Sequence, residues 1–153
     1  MTTRRDFLIA AGSLAGGIGL ATRAGQAPAT PEAMQDAIRK MIGSATVRQG
    51  RVKLDLPPLI DNGNAVALSV SVESPMTAAD HVKAIHVFAE KNPQPYVVSV
   101  YLGPRSGRAR VSTRVRLADT QTVVAFAQMS DGSVWSDSKA VVVTLAACLE
   151  ELP

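Results

Sequence analysis

Cysteine is the residue in this chain best suited to covalent chemistry, and it occurs once, as Cys148, the sixth residue from the end. A thiolate attacks disulfides, takes up sulfur and ligates metals. A solitary cysteine cannot form a disulfide within the chain, nor a cysteine-based zinc site. In an oxidising compartment a leftover cysteine points to pairing with another molecule or to a reactive thiol. The plainer alternative is a buried thiol acting as a small hydrophobe. Position argues against it, because Cys148 follows the last alternating apolar stretch, where chain ends are commonly mobile. Positive charge favours a thiolate. Glu150 and Glu151 supply the opposite sign, so the chain does little to activate its own thiol.

A second concentration of functional groups is basic. Arg105, Arg108, Arg110, Arg114 and Arg116 fall within twelve residues that contain no acid. They suit an oxyanion or an acidic partner face, and equally a solvated strand face guarded by charge against edge-to-edge association. No aromatic residue is interleaved with them, which disfavours nucleic acid. His81 and His86 are five apart, so on a strand they face opposite sides. Asp80 and Glu90 add carboxylates without ligand spacing, and neither a metal site nor a cofactor is expected. No Ser–His–Asp order, phosphate loop or paired-carboxylate signature is present. None of these residues is therefore singled out as catalytic.

The elements that must position these residues follow an N-terminal address. Thr3-Arg4-Arg5-Asp6-Phe7-Leu8 is a twin-arginine export pattern, followed by an uncharged Ala-, Gly- and Leu-rich stretch over Phe7–Ala21. Fifteen residues with four glycines are too short for a membrane span. Ala27-Pro28-Ala29 then offers a cleavage site, so residues 1–29 read as a signal for export to a bacterial periplasm. The 16 basic and 13 acidic residues of the whole chain give a net charge of +3, and removal of the signal takes Arg4, Arg5, Arg23 and Asp6 with it. The remaining charge is close to balance, too mild to point to a nucleic acid or a membrane surface as partner. A 46% hydrophobic content over 153 residues fits a single globular domain.

Residues 30–44 read as a short helix. Thr30 can cap it, Pro31 suits its first position, and Met34, Ala37, Ile38, Met41 and Ile42 form one apolar stripe ending at Gly43. Residues 45–145 read as seven strands: Val52–Leu56, Ala65–Val72, His81–Glu90, Tyr96–Leu102, Arg108–Leu117, Thr122–Met129 and Lys139–Leu145. Turn signals separate them, among them Asp61-Asn62-Gly63-Asn64 and Ser130-Asp131-Gly132-Ser133. The pattern predicts an all-β fold, an immunoglobulin-like antiparallel β-sandwich preceded by a short N-terminal helix. With no cysteine pair to staple the sheets, Trp135 is expected to pack on aliphatic neighbours. Residues 146–153 form a cysteine-bearing tail.

The chain resembles the SoxY family, the sulfur-carrying subunit of the periplasmic SoxYZ complex of thiosulfate oxidation. The resemblance spans the whole chain. It is carried by Ser74-Pro75-Met76-Thr77, by the stretch from His81 to Pro95, by Arg108–Leu117 and by the closing run Val141–Cys148. It implies a heterodimer with a SoxZ-like subunit, periplasmic partner enzymes, and a covalent sulfur adduct on the tail cysteine, here Cys148. In the family that cysteine lies in a Gly-Gly-Cys-Gly-Gly arm. Here Ala146-Ala147 precede it and Leu149-Glu150 follow. Such residues stiffen and thicken an arm that glycine leaves free. The expected function is thus a periplasmic sulfur carrier acted on by partner enzymes. The alternative is a binding module that keeps fold and partner face without carrier chemistry. A disulfide-linked homodimer through Cys148 is a third possibility.

Overall fold

The structure, a computed structural model, describes residues 30–147. The expected signal, Cys148 and the residues after it lie outside that range. The first element among the described residues, α1 (Pro31–Ile42), forms as its sequence predicts. Thr30 Oγ1 accepts from the Ala33 amide at 3.2 Å, and the Gly43 amide closes the other end on the Arg39 carbonyl at 2.9 Å. Gly43 stands at φ +64°, a conformation that glycine reaches without penalty.

Nine strands follow among the described residues: β1 (Val47–Gln49), β2 (Val52–Asp55), β3 (Leu59–Ile60), β4 (Val66–Val72), β5 (Val82–Ala89), β6 (Tyr96–Tyr101), β7 (Arg110–Val115), β8 (Gln121–Met129) and β9 (Val134–Val143). The larger sheet has the order β1-β9-β8-β5-β6, with β3 also paired to β9, and the smaller has the order β2-β4-β7. The two sheets enclose one apolar core, in which Leu54, Leu68, Val70, Ile85, Val87, Leu117, Val123, Val141 and Met129 are buried. Alternation explains it: Val66, Leu68, Val70 and Val72 all point inward along β4.

A second layer covers the outer face of the larger sheet. There the stripe of α1 packs on Phe88, Phe126 and Val134. Phe88 meets Phe126 and Tyr96 edge-on, at centroid distances of 5.8 and 5.6 Å.

The expected all-β sandwich with one short helix is the fold observed. It differs from the expectation in three details. The last strand begins at Val134 rather than Lys139, and two strands, β1 and β3, were not expected. Both pair with β9 in parallel, so the sandwich is not wholly antiparallel. The polar run Ser136-Asp137-Ser138 hid the first half of β9. Its Asp137 carboxylate accepts from the Leu54 amide at 2.8 Å, joining the smaller sheet to β9. Trp135 does touch the core, yet its ring also lies under two guanidinium groups, Arg51 at 5.1 Å and Arg48 at 5.8 Å.

Candidate carrier site at the root of the C-terminal tail

The tail that leads to Cys148 grows out of β9. Val141 and Val143 are buried in the core, which draws the strand tightly against β8. Beyond Val143 the backbone leaves the sheet but does not leave the protein. The Thr144 amide donates to the Ile60 carbonyl at 2.9 Å, and its hydroxyl reaches the Asp61 carbonyl at 3.0 Å. The Gly63 amide donates to the Leu145 carbonyl at 2.8 Å, the Leu117 amide to the Gly63 carbonyl at 2.9 Å, and the Ala147 amide to the Leu117 carbonyl at 3.0 Å. Ala147 is 1% exposed. The residue immediately before the cysteine is therefore part of the folded body.

Gly63 is where these segments cross. A Cβ placed there would lie 2.3 Å from the Leu117 carbonyl oxygen and 3.0 Å from the Ala147 amide nitrogen, so only glycine fits without movement of backbone. Asn62 shapes the preceding turn by accepting from the Asn64 amide at 2.9 Å. Leu117, the other half of the crossing, is held by a buried amide network. Asn92 Nδ2 donates to the Arg116 carbonyl at 2.9 Å, while Asn92 Oδ1 accepts from the Ala118 amide at 3.0 Å and from Gln121 Nε2 at 3.1 Å. Buried amides with all these partners rigidify what they bridge. Leu59, Val142 and Leu145 stand exposed at this end of β3 and β9, an apolar rim beside the root.

The other candidates fall elsewhere. Arg105, Arg108, Arg110, Arg114 and Arg116 are all exposed, on and around β7, the edge strand of the smaller sheet. None of them forms an ion pair among the described residues. Arg110 and Arg114 line an open groove of about 710 Å³ with Asp55, Pro57, Ser69 and Ser112. Arg116 immediately precedes Leu117, so the basic strip runs down to the root. Asp80 pairs at 3.9 Å with Arg51, and Glu90 accepts from the Thr122 amide at 3.2 Å. Among the described residues no group of three or more His, Cys, Asp or Glu is arranged to hold a metal ion, and no helix is long and apolar enough to cross a membrane.

The two histidines do not converge. His81 precedes β5 and its Nδ1 donates to the Thr77 carbonyl at 3.1 Å, whereas His86 is buried on β5 with Nδ1 paired to Ser99 Oγ. Tyr101 meets the His86 ring edge-on at 6.0 Å. Burial holds His86 below the ordinary histidine pKa of 6.5, and the side chain of Gln128 partly offsets the effect. The sign of the consequence is definite. Below about pH 6.5 the unfolded chain takes up a proton that folded His86 resists, so this group's stabilisation is complete above that pH. It is lost as the pH falls through the lower, folded-state value. Urea unfolding of the wild type between pH 7 and 5 is expected to show stability declining with acidity. His86→Gln should flatten that slope, and an equal slope in both proteins would refute the assignment.

The family model described as "Sulfur oxidation protein SoxY" matches residues 38–148, from within α1 to the tail cysteine. The chain belongs to the SoxY family. A solved SoxY, the sulfur carrier protein of Chlorobium limicola f thiosulfatophilum, is 26% identical. The match covers 73% of this chain and 92% of that one, with a TM-score of 0.62. Superoxide reductase (neelaredoxin) from Ignicoccus hospitalis shares the fold alone, at 18% identity and a TM-score of 0.55, over 61% of this chain and 80% of that one. No curated protein matches the chain significantly. SoxY proteins are carriers in sulfur oxidation on which other enzymes act, and this chain is accordingly a carrier rather than an enzyme.

For this SoxY, sequence reasoning singled out the cysteine but missed what holds its neighbours. Asp61-Asn62-Gly63-Asn64 is legible as a turn. That its glycine packs against residues 117 and 147 is a long-range fact with no local signal.

Proposed function

We propose that this SoxY is the periplasmic carrier of a thiosulfate-oxidising system, exported by way of residues 1–29, and that it holds sulfur intermediates covalently on Cys148. The observation that carries the proposal is the tail root. The chain's only cysteine follows directly on a residue packed into the body, beside an exposed apolar rim, within the span that matches the family. Loading joins the Cys148 thiol to the outer sulfur of thiosulfate. One S–S bond forms and two electrons leave, together with the thiol proton, so a partner redox enzyme must take the electrons. Later steps remove oxidised sulfur and return the thiol, again at partner enzymes. In this reading the chain supplies the thiol and a surface to dock. A SoxZ-like subunit is the proposed heterodimer partner, and the edges of β6 and β7, unpaired among the described residues and the latter rich in arginine, suit a partner of opposite charge.

The test is the intact mass of the protein from periplasm of cells grown with and without thiosulfate. The expected result is a reductant-labile adduct with the mass of thiosulfate or a later sulfur species, mapping to Cys148 and present only with thiosulfate. A bare or glutathione-capped thiol in both samples sinks the carrier chemistry. It would favour instead a SoxY-like binding module, the reading that the non-glycine residues around Cys148 support. Non-reducing electrophoresis of the same samples reports a disulfide-linked homodimer directly.

A further inference from the structure

We propose that Gly63 is a positioning residue for Cys148: by letting the backbones of residues 63, 117 and 145–147 cross in contact, it clamps the tail root and gives the cysteine a fixed point of exit in place of a swinging arm. The inference rests on the carrier reading for its purpose, but its geometry stands apart from it. Three hydrogen bonds of 2.8 to 3.0 Å link Gly63, Leu117, Leu145 and Ala147 in one chain of contacts. The absence of a side chain at Gly63 is what allows them, since any Cβ there would collide with the Leu117 carbonyl oxygen at 2.3 Å. Gly63 is not in the left-handed region of backbone space, so the demand is for room and not for an unusual φ.

Ala147 completes the clamp from the other side. It is 1% exposed, so its methyl group is packed where a glycine would leave a gap and a freer backbone. Consecutive Cα atoms are about 3.8 Å apart, and Cys148 therefore starts within that distance of a residue anchored in the body. The reach of the sulfur is then set by one residue of chain and one side chain. A partner must bring its active site to this end of the sandwich, where Leu59, Val142 and Leu145 form an apolar rim.

The experiment uses the full-length chain, with amide exchange followed by NMR and a nitroxide attached to Cys148, the single thiol. In the wild type, the Ala147 amide is expected to exchange at least tenfold more slowly than an unprotected amide, and the nitroxide to report a restricted environment. In Gly63→Ala, protection of Ala147 should fall tenfold or more and the nitroxide spectrum should narrow, while the central amides of β5 and β8 keep their protection. Ala147→Gly leaves Gly63 in place and should move both readouts in the same direction, so the test survives if Gly63→Ala does not fold. Loss of overall stability alone would not free the label well below the unfolding temperature. An Ala147 amide that exchanges freely in the wild type, or a nitroxide spectrum unmoved in both variants, overturns the clamp. Neither readout needs sulfur loading. A protected root with no adduct on Cys148 would leave the clamp standing and sink the carrier reading, and a free root with an adduct would do the reverse.

Discussion

Cells whose only copy of this protein carries Cys148→Ser are expected to lose thiosulfate-dependent oxygen uptake down to the background rate, while their uptake with an organic substrate should be unchanged. The reasoning is chemical. Serine matches cysteine in shape, but its hydroxyl is scarcely ionised at neutral pH and offers no sulfur for an S–S bond. A carrier without its attachment atom passes nothing on, and the chain has no second cysteine to replace it. Partner association, by contrast, should survive the substitution, because docking is a matter of surface. Respirometry on thiosulfate, alongside a pull-down with the wild-type and variant chains, separates the two properties. Undiminished respiration in the variant would identify the protein as a binding module.

The second large effect concerns the helix layer. Phe88→Ala is expected to cost about 3–5 kcal/mol, the usual range for deleting a buried aromatic ring. Phe88 is 0% exposed and sits between Tyr96, Phe126 and the stripe of α1, so its removal leaves a cavity that rigid strands cannot close. Against a typical total stability of about 5–15 kcal/mol this is a severe loss. The melting temperature should drop by something on the order of 15 °C. Denaturant and thermal unfolding of the two proteins measure it. A loss below about 1 kcal/mol would mean that α1 and the outer face of the larger sheet are not packed together in solution.

Much of the architecture can be read from the chain because it follows from local periodicity. Val66, Leu68, Val70 and Val72 announce an inward face, and Ala109, Val111, Thr113, Val115 and Leu117 announce another, with arginines opposite. Thr30, Pro31 and Gly43 mark both ends of α1 by their own chemistry. What stays hidden is whatever depends on distant partners. β1 is exposed at all three positions and has no alternation to detect. β3 is two residues long and exists only because β9 lies alongside it. The candidate site divides in the same way. Cys148 is conspicuous as a solitary thiol, whereas Gly63, Asn92 and Gln121 look like ordinary turn and loop residues until the fold brings them to Leu117 and Ala147. Arg48 and Arg51 could not have been matched to Trp135 either, because a parallel pairing across more than eighty residues brings them to it.

That parallel pairing bears on how the protein is made. β9 follows β1, β3 and β8 along the chain, and all three bond to it. The larger sheet cannot close until β9 has been made, and two of its partners, β1 and β3, lie more than eighty residues back along the chain, an arrangement that folds slowly because long loops must close first. Until then β1, β3 and β8 are left without this neighbour, a period in which a holding chaperone has most to bind. The strand that ends this wait is also the one that delivers residues 144–147 to their anchors. Completion of the sandwich and placement of the thiol's neighbour are one kinetic event, so a chain truncated or stalled before Val143 would be both misfolded and without its cysteine.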